Sequence, residues 1–116
     1  MSDESSDILV TRENDVAVVT VKSENLLGIS DVNRLGSKLS ELVAHGEKKL
    51  VVDLASVKYA GSAALGMLLS IDQQLKSMGG KIVLAGAEKL EGLLKVSRTR
   101  GVFSVALDVR GAVGML

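Results

Sequence analysis

Two short runs of apolar and β-branched residues, one on each side of a segment with helical periodicity, constrain this fold more than any other feature. The runs are KKLVVDL, Lys48 to Leu54, and KIVLAG, Lys81 to Gly86. Continuous apolar runs of this kind are typical of strands that are covered on both faces of a sheet. A strand, a helix and a second strand in this order form a right-handed crossover between parallel strands. The sequence therefore predicts an α/β fold around a pair of buried parallel strands.

The segment between these strands begins near Ser62 and ends at Gly79-Gly80. Its apolar residues recur every three or four positions, which is the spacing of one face of a helix. They are Leu65, Leu68, Ile71, Leu75 and Met78. On this helix we expect Asp72 to face solvent and Gly66 to allow close packing on the sheet.

Further elements are predicted on both sides of this unit. A β-hairpin precedes it, then a helix that starts at an N-cap on Ser30 and stops at Gly46; a third helix and a short strand follow it. The ranges are Ile8 to Arg12 and Val16 to Lys22 for the hairpin, Glu88 to about Arg98 for the third helix, and Val102 to Leu107 for the last strand. The last eight residues are expected to fray or to form a half-turn. The order ββαβαβαβ predicts a small mixed β-sheet with helices chiefly on one face.

Length and composition narrow the class of protein. The 116 residues are 47% apolar, which suits one globular domain over residues 8–116 after a flexible acidic tail, Met1 to Asp7. There is no Cys and one His, so we expect no disulfide, metal site or cofactor. With Tyr59 and Phe103 as its two aromatic residues, the chain has little to stack on nucleic-acid bases. We expect a cytoplasmic protein without direct membrane insertion, because no signal sequence or membrane span is present.

Ser62 lies where a strand becomes a helix, within YAGSAALG, residues 59–66. The structural interpretation is that Ser62 lies at or beside the N-cap, with its hydroxyl accepting a backbone N–H. A hydrolase elbow would require G-x-S-x-G and a general base, but Ala64 replaces the second Gly and His45 lies at the end of the first helix. The spacing from Gly61 to Gly66 fits a phosphate loop, yet no Lys follows. We therefore expect no enzyme. Phosphorylation remains as a candidate role for Ser62, because the N–H groups and dipole at a helix N-terminus stabilise a phosphate.

The residues from Lys48 to Val105 resemble the STAS domain of anti-sigma factor antagonists. The resemblance is carried by a strand ending in D-L-x-x-V, a turn of small residues with a Ser, the Leu-Gly that follows, GGKIVL and a leucine-rich third helix. Where the familiar pattern is D-S-S-G-L-G, this chain has GSAALG, residues 61–66. The resemblance implies a small α/β sheet with its helices on one side.

The resemblance also implies a mechanism, which is partner switching. The unphosphorylated antagonist binds an anti-sigma factor that is a histidine-kinase-like serine kinase, and phosphorylation of the loop Ser by that kinase ends the interaction. A PP2C-type phosphatase restores it. Applied to this chain, the resemblance implies that Ser62 is the phosphoacceptor. It also implies that the partner-binding residues are Gly61, Ser62, Ala63, Ala64, Leu65 and Gly66. The alternative is a regulatory or scaffold subunit of a transporter or sensory complex, in which Ser62 is only a cap.

Overall fold

A computed structural model describes residues 7–90 and 103–116. The strands are β1 (Ile8–Glu13), β2 (Val16–Val21), β3 (Asn25–Leu26), β4 (Lys49–Asp53), β5 (Tyr59–Ala60), β6 (Lys81–Ala85) and β7 (Ser104–Ala106). The helices are α1 (Ile29–Ala44), α2 (Ser62–Ser77) and α3 (Val109–Gly114), and a 3-10 turn spans Ala87–Leu90. The predicted tail lies outside the described residues except for Asp7, whose carbonyl accepts the Lys22 N–H at 2.7 Å.

Five strands form one mixed sheet in the order β1-β2-β4-β6-β7. β1 and β2 are antiparallel, and β4 lies parallel to β2 on one side and to β6 on the other. The crossover predicted between the two apolar runs is confirmed, since Val52 pairs with Leu84 across β4 and β6. The mixed α/β sheet is confirmed as well.

The main core lies between one face of this sheet and helices α1 and α2. Apolar residues at helical spacing on α1 meet apolar residues from the strands, and the central ones are completely buried: Leu35, Leu39, Leu50, Leu75 and Val52. Burial of each such side chain contributes roughly 1.5–3 kcal/mol of transfer free energy. Where α1 and α2 touch, a Cβ on Gly36 would lie 3.0 Å from Met67 Cγ, so the small residue permits the close approach. The core thus anchors both helices rigidly to the sheet.

Helix α3 covers the other face, which the sequence did not predict. Its Ala112 is completely buried and packs in a cluster with Val18, Val51 and Val83. The helix forms because Asp108 caps it, with Oδ1 accepting the Gly111 N–H at 2.8 Å. The larger helices still share one face, but the last residues neither fray nor stop at a half-turn, since they form a helix over Val109–Gly114.

At several positions the structure differs from the predicted elements. α1 begins at Ile29 with Gly28 as its N-cap, so Ser30 is a helical residue and not the cap. The last strand is shorter than predicted, and beyond Leu90 most of the expected third helix, residues 91–98, lies outside the described residues. Gly66 faces open space, so it does not serve close packing on the sheet.

Asp72 was expected to face solvent, but its side chain is buried on α2. Lys76, one turn later, reaches back to it, with Nζ 3.0 Å from Oδ2. A buried carboxylate requires such a partner, because an isolated charge in an apolar environment is costly. The expectation failed because the Lys four residues on lets a charged residue occupy the buried side of the helix.

Candidate functional site

The predicted site is a tight strand-to-helix turn at one end of the sheet. Tyr59 and Ala60 form β5, Gly61 is the N-cap of α2, and Ser62 is the first helical residue. Gly61 has extended backbone angles, φ −114° and ψ −177°, as an N-cap requires. It stands where the pattern of the resembling antagonists has Asp, so in this chain the cap position carries no side-chain oxygen.

Ser62 lies beside the N-cap, as predicted, but it is not bonded as a cap. Its side chain is exposed, and none of the described residues hydrogen-bonds to its hydroxyl. The interpretation that its oxygen accepts a backbone N–H from the first turn is therefore wrong. The physical reason is position: a capping side chain reaches forward from outside the helix, whereas Ser62 is already inside it.

The backbone around Ser62 is suited to receive negative charge. The Gly61 carbonyl accepts the Ala64 N–H at 3.1 Å and the Leu65 N–H at 3.3 Å. The N–H groups of Ser62 and Ala63 precede these bonds and have no partner within the helix. Together with the helix dipole, equivalent to roughly +0.5 charge at this end, they would stabilise an anion on the Ser62 oxygen.

A second sheet, of two short strands, brings exposed apolar side chains to the same place. β3 pairs in parallel with β5, with Asn25 opposite Tyr59 and Leu26 opposite Ala60. Beside this pair, Leu27 is 56% exposed, Ile29 74% and Tyr59 58%. Leu27 borders the turn directly, since its Cδ2 would lie 3.5 Å from a Cβ on Gly61. We call Leu27, Ile29, Tyr59 and Ser62 together the switch surface.

Sequence reasoning missed the apolar members of the switch surface. The available signal was that Leu27 and Ile29 stand outside the periodic core positions of the first helix. Of the six residues predicted to bind a partner, Ala64 and Leu65 have buried side chains that pack in the main core. Gly61, Ser62, Ala63 and Gly66 are at least partly exposed and can touch a partner.

His45 lies far from Ser62 along the helix pair. It is the C-cap of α1, and its Nδ1 lies 2.8 Å from the Glu41 carbonyl oxygen. Ser62, in contrast, begins α2 next to the first turn of α1. His45 therefore does not supply a base to Ser62, in agreement with the sequence argument.

Arg12 and Asp15, whose pKa values are shifted, lie at the opposite end of the sheet from the switch surface. A hydrogen bond from Lys49 Nζ, 2.9 Å from Asp15 Oδ2, lowers the pKa of Asp15 below its ordinary value. A hydrogen bond to Glu47 raises the pKa of Arg12. Because these pairs tie the β1–β2 turn to the start of β4, they act on the fold and not on Ser62.

No group of three or more His, Cys, Asp or Glu side chains in residues 7–90 and 103–116 is placed to hold a metal ion. Within the same residues, no helix combines the length and apolar character needed to cross a membrane.

The fold and the turn together define a class: a mixed-sheet domain that presents one Ser at the start of its second helix. Residues 8–109 match the family described as "Mlab, STAS domain", and the chain belongs to this family. BtrV of Bordetella bronchiseptica, assigned as an anti-sigma factor antagonist, is 26% identical over 84 residues, 72% of each chain.

Two solved structures show the same fold. A STAS-domain anti-sigma-factor antagonist from Planctomyces limnophilus has a TM-score of 0.80 at 20% identity, covering 95% of this chain and 98% of its own. The Bacillus cell fate determinant SpoIIAA, solved in its phosphorylated form, has a TM-score of 0.68 at 14% identity, covering 93% of this chain and 97% of its own. This chain thus has the same fold as these two proteins.

Proposed function

We propose that this protein is an anti-sigma factor antagonist that works by partner switching. In the unphosphorylated state the switch surface binds a histidine-kinase-like serine kinase that also restrains a sigma factor. Transfer of the γ-phosphoryl group of ATP to the Ser62 hydroxyl, with ADP as the leaving group and loss of the hydroxyl proton, ends the interaction. A PP2C-type phosphatase hydrolyses the phosphoester and restores binding.

The observation that carries the proposal is the state of the Ser62 hydroxyl. It is exposed at the first residue of α2, and among the described residues it has no hydrogen-bond partner. A kinase can therefore reach it without unfolding the turn. A hydroxyl that is not needed for capping is also free to be modified at little cost to the fold.

The apolar part of the switch surface supports a protein partner. Leu27, Ile29 and Tyr59 are all more than half exposed and surround the turn. Grouped large apolar side chains on a surface are typical of protein interaction sites, since their burial in a complex is favourable. The small residues Gly61 and Ala63 leave the backbone beside Ser62 accessible to such a partner.

A phosphate on Ser62 would separate the partners without disturbing the domain. It adds about −1.5 to −2 charges, which the free N–H groups of Ser62 and Ala63 stabilise. The same charge would have to be desolvated against the apolar side chains of the interface, which is unfavourable. The bound and free states are thus distinguished by electrostatics at a single side chain.

The comparisons support the same class of function. The relative BtrV is assigned as an anti-sigma factor antagonist, and the similar structure of SpoIIAA was solved in a phosphorylated form. Those properties belong to those proteins. They become a proposal for this chain because its own turn presents a reachable Ser at the start of α2.

Intact-mass measurement tests the proposal directly. The wild-type chain is incubated with ATP and each purified serine kinase of histidine-kinase-like fold from the same genome. We expect one kinase to add a single phosphate to the wild type and to Ser77→Ala, but none to Ser62→Ala. Ser77 is a matched control because it is an exposed Ser at the far end of the same helix. Equal modification of the wild type and Ser62→Ala, or no modification by any kinase, would refute the switch.

Binding measurements then separate switching from permanent assembly. We expect Ser62→Asp to weaken the complex with that kinase while leaving the melting temperature near the wild-type value, because an acidic residue is favourable in the first turn. A complex that is stable regardless of phosphorylation and co-purifies with a membrane ATPase or a large assembly would instead indicate the scaffold role.

A further inference from the structure

An open groove of about 520 Å³ lies between helices α1 and α2. It starts at Ile29 and Ala63 near the first turns of the two helices and extends to Ser40 and Gln74. With a rise of 1.5 Å per residue, the groove follows both helices for roughly 16 Å, or three turns. Its length matches a section of α-helix of about three turns.

The groove and the switch surface are continuous. Ile29 belongs to both, and Ala63 in the groove wall is the residue after Ser62. A protein seated on the switch surface would therefore cover the mouth of the groove. This continuity favours an occupant that belongs to the same partner.

The chemistry of the lining restricts that occupant further. Every residue that lines the groove is uncharged, and Ser37, Ser40 and Ser70 alternate with apolar side chains such as Met67. Such a surface favours uncharged side chains, because a buried charge would find no group of opposite charge there.

The neighbouring charges of α1 are already paired outside the groove. Arg34 lies 3.2 Å from Asp31, and Lys38 lies 3.2 Å from Glu41. None of these four residues lines the groove.

The small residues of the groove set how closely a helix can approach. Gly36, Ser37 and Ala63 line the groove with small side chains. Helices pack at interaxial distances of 8–10 Å, and small side chains at the contact permit the shorter ones.

We infer that the groove receives one α-helix of the kinase partner, seated with an uncharged face between α1 and α2. The inference rests on the proposed function and deepens it, because it gives the partner a second contact that phosphorylation does not touch directly. The switch surface then confers regulation, and the groove contributes affinity and orientation.

Arginine substitutions in the groove test this assignment. Ser40→Arg and Ser70→Arg place a long cation in the groove, and both positions are exposed, so neither variant buries the charge in the free protein. Thr11→Arg is the matched control, because Thr11 is exposed and pairs with Val18 on the sheet face away from α1 and α2. Titration calorimetry with the kinase that modifies Ser62 should show at least a tenfold higher Kd for both groove variants and less than a twofold change for Thr11→Arg.

The outcomes separate the two proposals. If the wild type binds the kinase and the groove variants bind within twofold of it at unchanged melting temperature, the groove assignment is wrong and the switch stands. If no kinase binds the wild type, the proposed function fails and the groove assignment fails with it.

A photo-crosslinker at Gln74, an exposed residue at the far end of the groove, identifies the occupant. With benzoylphenylalanine at this position, irradiation of the complex should link the groove to kinase residues spaced three or four apart, as on one helix face. Crosslinks to a second copy of this chain, or to kinase residues without that spacing, would overturn the assignment. Absence of any crosslink in a complex shown to be formed would overturn it as well.

Discussion

Replacing Ser62 by Ala decides whether this residue supports the helix or is available for regulation. The matched perturbation is Asp108→Ala at the start of α3. Asp108 is a true N-cap, with Oδ1 accepting the Gly111 N–H at 2.8 Å. Ser62 is the first residue inside α2, and no described residue hydrogen-bonds to its hydroxyl. Each substitution therefore removes a polar side chain at a helix start, one that caps its helix and one that does not.

The expected magnitudes follow from these contacts. Asp108→Ala loses a capping hydrogen bond, which costs about 1 kcal/mol of unfolding free energy, within a range of roughly 0.5–2. Ser62→Ala loses no such bond, and Ala is the better helix former by up to about 0.5 kcal/mol. We therefore expect Ser62→Ala to leave the unfolding free energy within about 0.5 kcal/mol of the wild type.

Urea denaturation followed by circular dichroism measures both variants. Equal slopes with a lower midpoint for Asp108→Ala and an unchanged midpoint for Ser62→Ala would agree with the structure. A loss of about 1 kcal/mol or more in Ser62→Ala would refute the reasoning, because it would show that the hydroxyl caps α2 in solution. An unchanged unfolding free energy in Ser62→Ala also makes the kinase experiment interpretable, since any loss of modification then reflects the missing hydroxyl and not unfolding.

Three further predictions concern the fold. Gly80→Ala should destabilise by about 1–3 kcal/mol in the same denaturation assay, because its Cβ would lie 2.5 Å from the Lys48 carbonyl oxygen and force the backbone to shift. Gly66→Ala, where a Cβ meets open space in the interior of α2, should instead stabilise by about 0.5–1 kcal/mol; a loss there would contradict the description of α2. Lys49→Met should raise the pKa of Asp15 toward its ordinary value in an NMR titration. Since the folded-state pKa of Asp15 is lowered, the Asp15–Lys49 pair contributes stability above the unfolded pKa of Asp and loses it as pH falls through the folded value. An Asp15 titration that does not move in Lys49→Met would refute the pairing.

The elements of the main sheet could be predicted because their signals are local. The continuous apolar run around Val51 has the pattern of a strand covered on both faces, and the structure places it at the centre of the sheet. The helical spacing from Leu65 to Leu75 is likewise a property of neighbouring residues. The position of Ser62 beside the start of α2 follows from the same local pattern.

Other features could not be predicted because they depend on which distant residues meet. Asp72 was placed in solvent because a carboxylate on a helix is usually exposed, and the Lys76 contact changed that outcome. The final helix was missed because six residues carry little periodicity, while its formation depends on packing Ala112 against Val18 and Val83. The cap and the first helical position differ by one residue, and the extended backbone angles of Gly61 that decide between them are not specified by hydrophobic spacing.

The α/β sheet and the small hydroxyl at a strand-to-helix turn can be predicted from the sequence, because hydrophobic periodicity and turn residues act over a few positions. The surroundings of that hydroxyl depend on tertiary packing. The parallel pairing of Asn25 with Tyr59 brings Leu27 and Ile29 beside Ser62, and the packing of α1 on α2 leaves the groove open next to it. These neighbours are distant in the chain, and their meeting depends on sheet register and helix packing, which no local pattern specifies.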